Sequence, residues 1–346
     1  MDEVHARVEG SVGRLTLSRP KALNALTGPM LVKIGFALRG WAGNPSVAMV
    51  LIEGDGGRAF CAGGDVAETW RDAQAGDPSS GPRFFADEYR LNALVKRFPK
   101  PWVALMDGIV MGGGVGISAH GSHRIVTERS TVAMPECAIG LIPDVGSTMI
   151  LAQAPGHAGE YLAMTGARMD AADAIHAGFA DLQVPSERLP ELAAALVEAG
   201  EPGVIRDFAV APGWSALAAC QAQIDHCFAG ETALDIVARL EDDRSEWAAD
   251  ALTAIRRASP LSVAAALETV RALRADPAIE TALRTEYRFT SRAVRDGDFM
   301  EGVRAALIDK DRMPRWSPER LEDLPHERVE AMLAPLGPDE LFLDHG

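Results

Sequence analysis

No C-x-x-C pair occurs among the four cysteines, Cys61, Cys137, Cys220 and Cys227. They read as reduced intracellular thiols rather than a disulfide framework. Basic residues are outnumbered, with 34 Lys and Arg against 49 Asp and Glu and a net charge of −15. That argues against nucleic acid and anionic membrane surfaces as main partners. The opening segment MDEVHARVEG has no apolar core of a signal peptide, so no targeting peptide is read and a cytoplasmic location is expected. The longest apolar run, 102–119, contains Asp107 and many glycines and is no membrane span. No clean internal repeat is present.

What is present is a chain of ordinary globular composition, 47% apolar and 24% charged over 346 residues. That is room for one large domain or two smaller ones. The most informative stretch is 102–147. An apolar strand candidate, Trp102–Met106, leads to Met111-Gly112-Gly113-Gly114-Val115-Gly116. Backbone without Cβ atoms can approach a ligand closely, and N–H groups at a helix start favour a negatively charged oxygen. Two carboxylates follow in apolar, Pro-punctuated sequence: Glu136 in Met134-Pro135-Glu136 and Asp144 in Ile142-Pro143-Asp144-Val145-Gly146. An anion-stabilising turn followed by two carboxylates suggests carbonyl chemistry with acid–base help.

Three other patterns in this stretch are weaker. Gly114-x-Gly116-x-x-Ala119 fits a relaxed dinucleotide fingerprint, but a glycine run satisfies many glycine patterns. Ser118 sits in an incomplete nucleophile elbow that lacks the closing Gly, and reads as a helix-packing residue. His120 and His123 have no third ligand in view and read as a helix end and a strand start.

A second glycine turn, Gly56–Val66, holds Ala62-Gly63-Gly64-Asp65 and follows the buried strand candidate Val47–Ile52. Two such turns could place two N–H donors on one oxygen. Before it come a hairpin over Val4–Leu17, a loop from Arg19 to Leu26, and a helix with Thr27 as N-cap, Pro29 in its first turn and Gly43-Asn44-Pro45 as its stop. Ala75–Pro82 has loop composition and is placed to act as a lid. The helix expected over Phe84–Phe98 carries Glu88, which taken alone reads as a solvated surface charge. Small residues at helical spacing run from Ser147 to Gly178, and Leu182–Val184 reads as a last short strand. Beyond about Ser186 the strand signals stop. Helices are expected over Leu189–Ala199, Ser215–Ala229, Thr232–Leu240, Ser245–Arg257, Leu261–Arg274, Ile279–Arg295 and Met300–Leu307, followed by a Pro-rich acidic tail over 317–346.

These motifs resemble the crotonase superfamily over nearly the whole chain, and within it the 3-hydroxyisobutyryl-CoA hydrolase branch. The marks are Asn24-Ala25-Leu26, Ala59–Asp65, Met111–Gly116, Met134-Pro135-Glu136, Ile139–Gly146, Glu286-Tyr287-Arg288 and Glu301–Asp311. The resemblance implies an α/β fold: a spiral of ββα units over 1–190, carrying the acyl-CoA site, and an all-α C-terminal region over 191–346. It implies hydrolysis of a 3-hydroxyacyl-CoA thioester, as in valine catabolism. The thioester oxygen would sit between the N–H groups of Gly64 and Gly113. Glu136 and Asp144 would form the catalytic pair, with Glu88, Ala62 and Asp65 binding substrate. No metal or cofactor is implied, since CoA is part of the substrate. A homo-oligomer, trimer or hexamer, and a bacterial source are further expectations.

Hydratases of the superfamily carry a first catalytic Glu where this chain has Gly116. Glycine cannot transfer a proton, so the site looks suited to attack on a thioester carbonyl rather than hydration. The alternatives are an enoyl-CoA hydratase or isomerase using Glu136 alone, and a non-catalytic acyl-CoA binder. Ser147 and Cys137 depart from the hydrolase pattern without removing a catalytic group, and bear on pocket shape.

Overall fold

The computed structural model describes residues 3–343. Residues 1, 2 and 344–346, the extreme ends of the opening segment and of the expected helical region, lie outside the described residues. Among the described residues nine strands alternate with helices up to Gln183: β1 Val4–Glu9, β2 Val12–Leu17, β3 Met49–Gly54, β4 Ala59–Cys61, β5 Trp102–Met106, β6 Ile109–Met111, β7 His123–Val126, β8 Thr131–Ala133 and β9 Leu182–Gln183. They form a six-stranded sheet in the order β1-β2-β3-β5-β7-β9 and a three-stranded sheet in the order β4-β6-β8.

The arrangement is a spiral of ββα units. Each turn sends one strand to the large sheet (β3, β5, β7) and the next to the small one (β4, β6, β8), then adds helix before the chain advances by one strand. The β1–β2 hairpin is antiparallel, with Val4 opposite Leu17, and turns at Gly10, whose φ is +57°. The later neighbours in the large sheet pair in parallel, Val12 opposite Met49 and Val50 opposite Trp102. Strands buried on both faces read as unbroken apolar runs, as Met49–Ile52 and Trp102–Met106 do.

Packing groups the described chain into two units that interleave along the sequence. The expected division at 190 is a division along the chain; by contact, and within the described residues, the stretches up to 64, 87–132 and 169–216 form one unit, and 65–86, 133–168 and the stretch from 217 onward form the other. In the first, one face of the large sheet (Met49, Leu51, Val103, Leu105, Ile125) packs on Leu192 and Leu196 of the helix Leu189–Ala199, with Ile205 and Phe208. The helix Gly28–Ala42 starts where expected: Thr27 Oγ1 accepts from the amide of Met30, and Trp41 packs against Gly13, where a Cβ would collide with its ring.

In the second unit the helices Ser147–Gln153 and Ala158–Thr165 pack on Pro260–Leu273, whose Leu261, Val263, Ala266 and Val270 are buried. Ser259 caps that helix, its Oγ accepting from the Ser262 amide while donating to Asp298 at 2.6 Å. Glu160, fully buried, pairs with Arg274 at 2.6 Å. The sequence-based boundaries shift in four places. Helix resumes at Ser80, so the expected loop shrinks to 75–79, turned by Asp77 accepting from Ser79 and pairing with Arg83. Ser215–Ala229 breaks at Cys220 into two helices, Ala216–Ala219 and Gln221–Cys227. The helix begun at Phe299 passes into a π-helical turn over Arg304–Ile308, riveted by Arg304 to Glu301, Asp309 and Asp311. The acidic tail contains a helix, His326–Leu333.

Candidate active site

The two glycine turns leave adjacent strands at the same end. β4 pairs with β6 in parallel, Ala59 opposite Ile109 and Cys61 opposite Val110. The turn after β4 is therefore beside the turn after β6. At the first turn Gly63 has φ +115°, and its carbonyl accepts from the Leu26 amide at 2.8 Å. The Ala62 amide donates to Leu23 O at 3.0 Å. At the second, Gly112 has φ +48° and ψ −121° and caps the short helix Gly113–Gly116. Gly113 is the first residue of that helix, and the first N–H groups of a helix have no acceptor within it.

The approach of the turns requires their glycines. A Cβ on Gly113 would stand 3.3 Å from the Gly64 nitrogen and collide with Glu88 Oε1. A Cβ on Gly114 would collide with the backbone of Cys61. Glu88, on the helix Ser80–Lys96, is only 2% exposed and lies beside Gly113, so the surface-charge reading of this residue is corrected. The reason is that helix position alone does not say which face a lone Glu occupies.

Asn24 holds the first turn and is not among the predicted site residues. It is fully buried at φ +58°. Its Nδ2 donates to Asp55 O at 3.0 Å and Ala59 O at 2.9 Å, and its Oδ1 accepts from the Arg19 amide at 2.8 Å. Asn tolerates the left-handed region better than most residues and carries donors and an acceptor on a short stem. Burial pushes the Cys61 thiol up to about 12, with the charge of Glu88 adding, so it stays protonated at neutral pH and is a poor nucleophile.

The two predicted carboxylates belong to the other unit, as does Asp65, whose carbonyl accepts from Glu68 at the start of the helix Val66–Gln74. Glu136 opens a 3-10 turn, Glu136–Ile139, and is 6% exposed; Asp144 is 4% exposed. The turn is held by the C-terminal helices of this same chain. The Ser259 amide donates to Cys137 O at 3.0 Å, Gly302 packs against Ile139, and Gly140, at φ +77°, packs against Asp298 with no room for a Cβ at either glycine. Burial pushes the Cys137 thiol up, and the charge of Glu136 adds. After Asp144 come Val145 and Gly146, both in the left-handed region at φ +55° and +79°.

Two residues of the weaker patterns make local hydrogen bonds. Ser118 Oγ donates to Gly114 O at 2.6 Å, tying the short helix together. His123 opens β7 with its Nδ1 2.9 Å from Ser122 Oγ, and burial lowers its pKa. Gly116 is buried in the short helix and offers no side chain there.

The chain matches the family model described as enoyl-CoA hydratase/isomerase over residues 12–333. It is 39% identical to a protein of Gallus gallus named 3-hydroxyisobutyryl-CoA hydrolase, mitochondrial, over 99% of this chain and 91% of that one. It is 37% identical to the protein of that name from Homo sapiens, over 98% and 90%. A crystal structure titled as an enoyl-CoA hydratase from Rhodobacter sphaeroides 2.4.1 superposes with a TM-score of 0.94 at 50% identity, covering 99% of this chain and 100% of that one. By family model, full-length relatives and fold together, the chain belongs to the enoyl-CoA hydratase/isomerase family, the crotonase superfamily.

Proposed function

We propose that the protein hydrolyses the thioester of 3-hydroxyisobutyryl-CoA, or a close 3-hydroxyacyl-CoA, to the free hydroxy acid and CoA. The observation that carries this reading is the likeness, along nearly the full chain, to relatives named 3-hydroxyisobutyryl-CoA hydrolase. The approach of Gly113 to the Gly64 nitrogen supports it, because a thioester oxygen that becomes an oxyanion needs two converging donors. Gly116 supports it too, since a hydration would need a proton-transferring group there.

In the proposed mechanism the thioester oxygen accepts from the backbone N–H groups of Gly64 and Gly113. Glu136 takes a proton from water as the water oxygen bonds to the carbonyl carbon. Collapse of the oxyanion breaks the C–S bond, and the proton that Glu136 took from water passes to the departing sulfur, which leaves Glu136 ionised again. The other route open to Glu136 is direct attack, giving a mixed anhydride that water then hydrolyses. Asp144 accepts from the 3-hydroxyl of the acyl group and helps protonate the leaving sulfur. Substrate binding is assigned to Glu88, Ala62 and Asp65. CoA is part of the substrate, and no further cofactor enters the scheme.

A role in valine catabolism, a cytoplasmic setting and a trimeric or hexameric assembly belong to the same proposal. The two animal relatives are named as mitochondrial proteins. Among the described residues no helix is long and apolar enough to cross a membrane. The deciding experiment is thiol release from 3-hydroxyisobutyryl-CoA set beside loss of the enoyl absorbance of crotonyl-CoA. Thiol release without hydration is expected. Hydration without thiol release would transfer the reading to a hydratase, and tight acyl-CoA binding with neither reaction would make the protein a binder.

A further inference from the structure

Glu286 stands at the middle of the helix Ile279–Asp296 and is fully buried. A buried carboxyl costs free energy that an apolar side chain would not, so what it touches matters. Its Oε2 accepts from the Gly146 amide at 2.7 Å, and its Oε1 accepts from the Thr148 amide at 3.2 Å and from the Thr148 hydroxyl. All three donors lie just after Asp144. Between Asp144 and these donors the chain makes its left-handed turn at Val145 and Gly146. A β-branched residue at positive φ is strained, and such strain persists only where the surroundings over-determine it. Within the turn itself, Ser147 N donates to Asp144 O at 2.9 Å. Glu286 supplies the anchor from outside it, across 140 residues of sequence.

We propose that Glu286 is the positioning residue for Asp144. By binding the Gly146 amide within the left-handed turn and the Thr148 amide beyond it, it fixes the direction of the Asp144 carboxylate and so sets the preference for hydroxylated acyl groups. The inference rests on the reading of Asp144 as the partner of the substrate hydroxyl. Thr148 is part of the device, because its hydroxyl and amide share one carboxyl oxygen of Glu286. Replacement of that carboxyl by an amide puts an NH2 group where an acceptor is needed and leaves one donor without an acceptor.

The test compares kcat and KM for 3-hydroxyisobutyryl-CoA and isobutyryl-CoA, which differ only in the hydroxyl. The variants are Asp144→Asn, Glu286→Gln, the double variant, Thr148→Val and Thr148→Ser. Asp144→Asn is expected to lower the kcat/KM ratio between the two substrates about tenfold or more, and Glu286→Gln by a similar factor, with no further loss in the double variant because the two act as one unit. Thr148→Val lowers the same ratio, and Thr148→Ser, which keeps the hydroxyl, restores it. Equal losses on both substrates in Glu286→Gln, or fully multiplicative losses in the double variant, would overturn the proposal. Should Glu286→Gln not fold, an unchanged ratio in Thr148→Val overturns it instead. An unchanged ratio in Asp144→Asn itself would sink the reading of Asp144, a failure distinct from that of Glu286.

Discussion

The nitrogen of Gly64 lies 3.3 Å from the point a Cβ on Gly113 would occupy, although the two are 49 positions apart in sequence. Parallel pairing of β4 with β6 brings this about: the two strands end side by side, and each is followed at once by a glycine turn. The small sheet, rather than the large one, is the frame of the two turns.

Gly113→Ala is accordingly expected to fold but to lose turnover. The new methyl group meets the movable end of Glu88 and crowds the Gly64 amide. Loss of one such donor costs about 10²–10³ in kcat. Steady-state thiol release, with circular dichroism to check the fold, measures it. Retention of wild-type kcat would show that this backbone is not where the oxyanion forms.

Glu136→Gln is expected to lower turnover by about 10³ or more, since the amide neither accepts a proton from water nor attacks a carbonyl. Binding of a non-hydrolysable acyl-CoA analogue should be nearly preserved. Stopped-flow thiol release on the purified variant gives the number, and near-normal hydrolysis would remove Glu136 from the chemistry.

Asn24→Ala tests the support of the first turn. It leaves the carbonyls of Asp55 and Ala59 without this donor and puts a residue with no local compensation at φ +58°. Together these losses should cost about 2–4 kcal/mol of stability. Urea unfolding followed by tryptophan fluorescence reads the change. A midpoint equal to that of the wild type would show that the loop does not depend on Asn24.

Glu286 also has a pH signature. Burial pushes its carboxyl up to about 8, with the charge of Asp144 adding, against the donors of Thr148 and Gly146 that favour the ionised form. An acid whose pKa is raised on folding binds its proton more tightly in the folded state. The stability it contributes is complete below the unfolded value of 4.5 and is lost as pH rises through about 8. The slope from this one group is at most about 1.4 kcal/mol per pH unit. Glu286→Gln has no charge to expose, so its stability relative to the wild type should rise between those two pH values. A relative stability independent of pH would show that Glu286 ionises alike in both states.

Much of the fold is legible from local pattern. The hairpin turning at Gly10, the Thr27 cap with Pro29, the buried runs of β3 and β5, and the Ser259-Pro260 helix start are each set by neighbours within a few residues. The strands β4 and β6 are not, because three residues are too few to show a period. Glu88 reads as a surface charge for a similar reason: a single acidic residue on a helix carries no sign of which side is covered. Helix in the acidic tail was hidden by its polar composition.

The sequence by itself determined the two glycine turns, the Met-Pro-Glu and Pro-Asp-Val-Gly segments and the family to which they belong, because these are fixed by residue identity and short spacing. Only the tertiary structure decided that the glycine turns stand side by side, that Asn24 ties one of them to the sheet, and that Glu286 grips the chain just past Asp144. Those are contacts between residues tens to more than a hundred positions apart. No local rule of backbone preference or hydrophobic period reaches that far, and only the strand pairing and helix packing of the folded chain bring such groups within bonding distance.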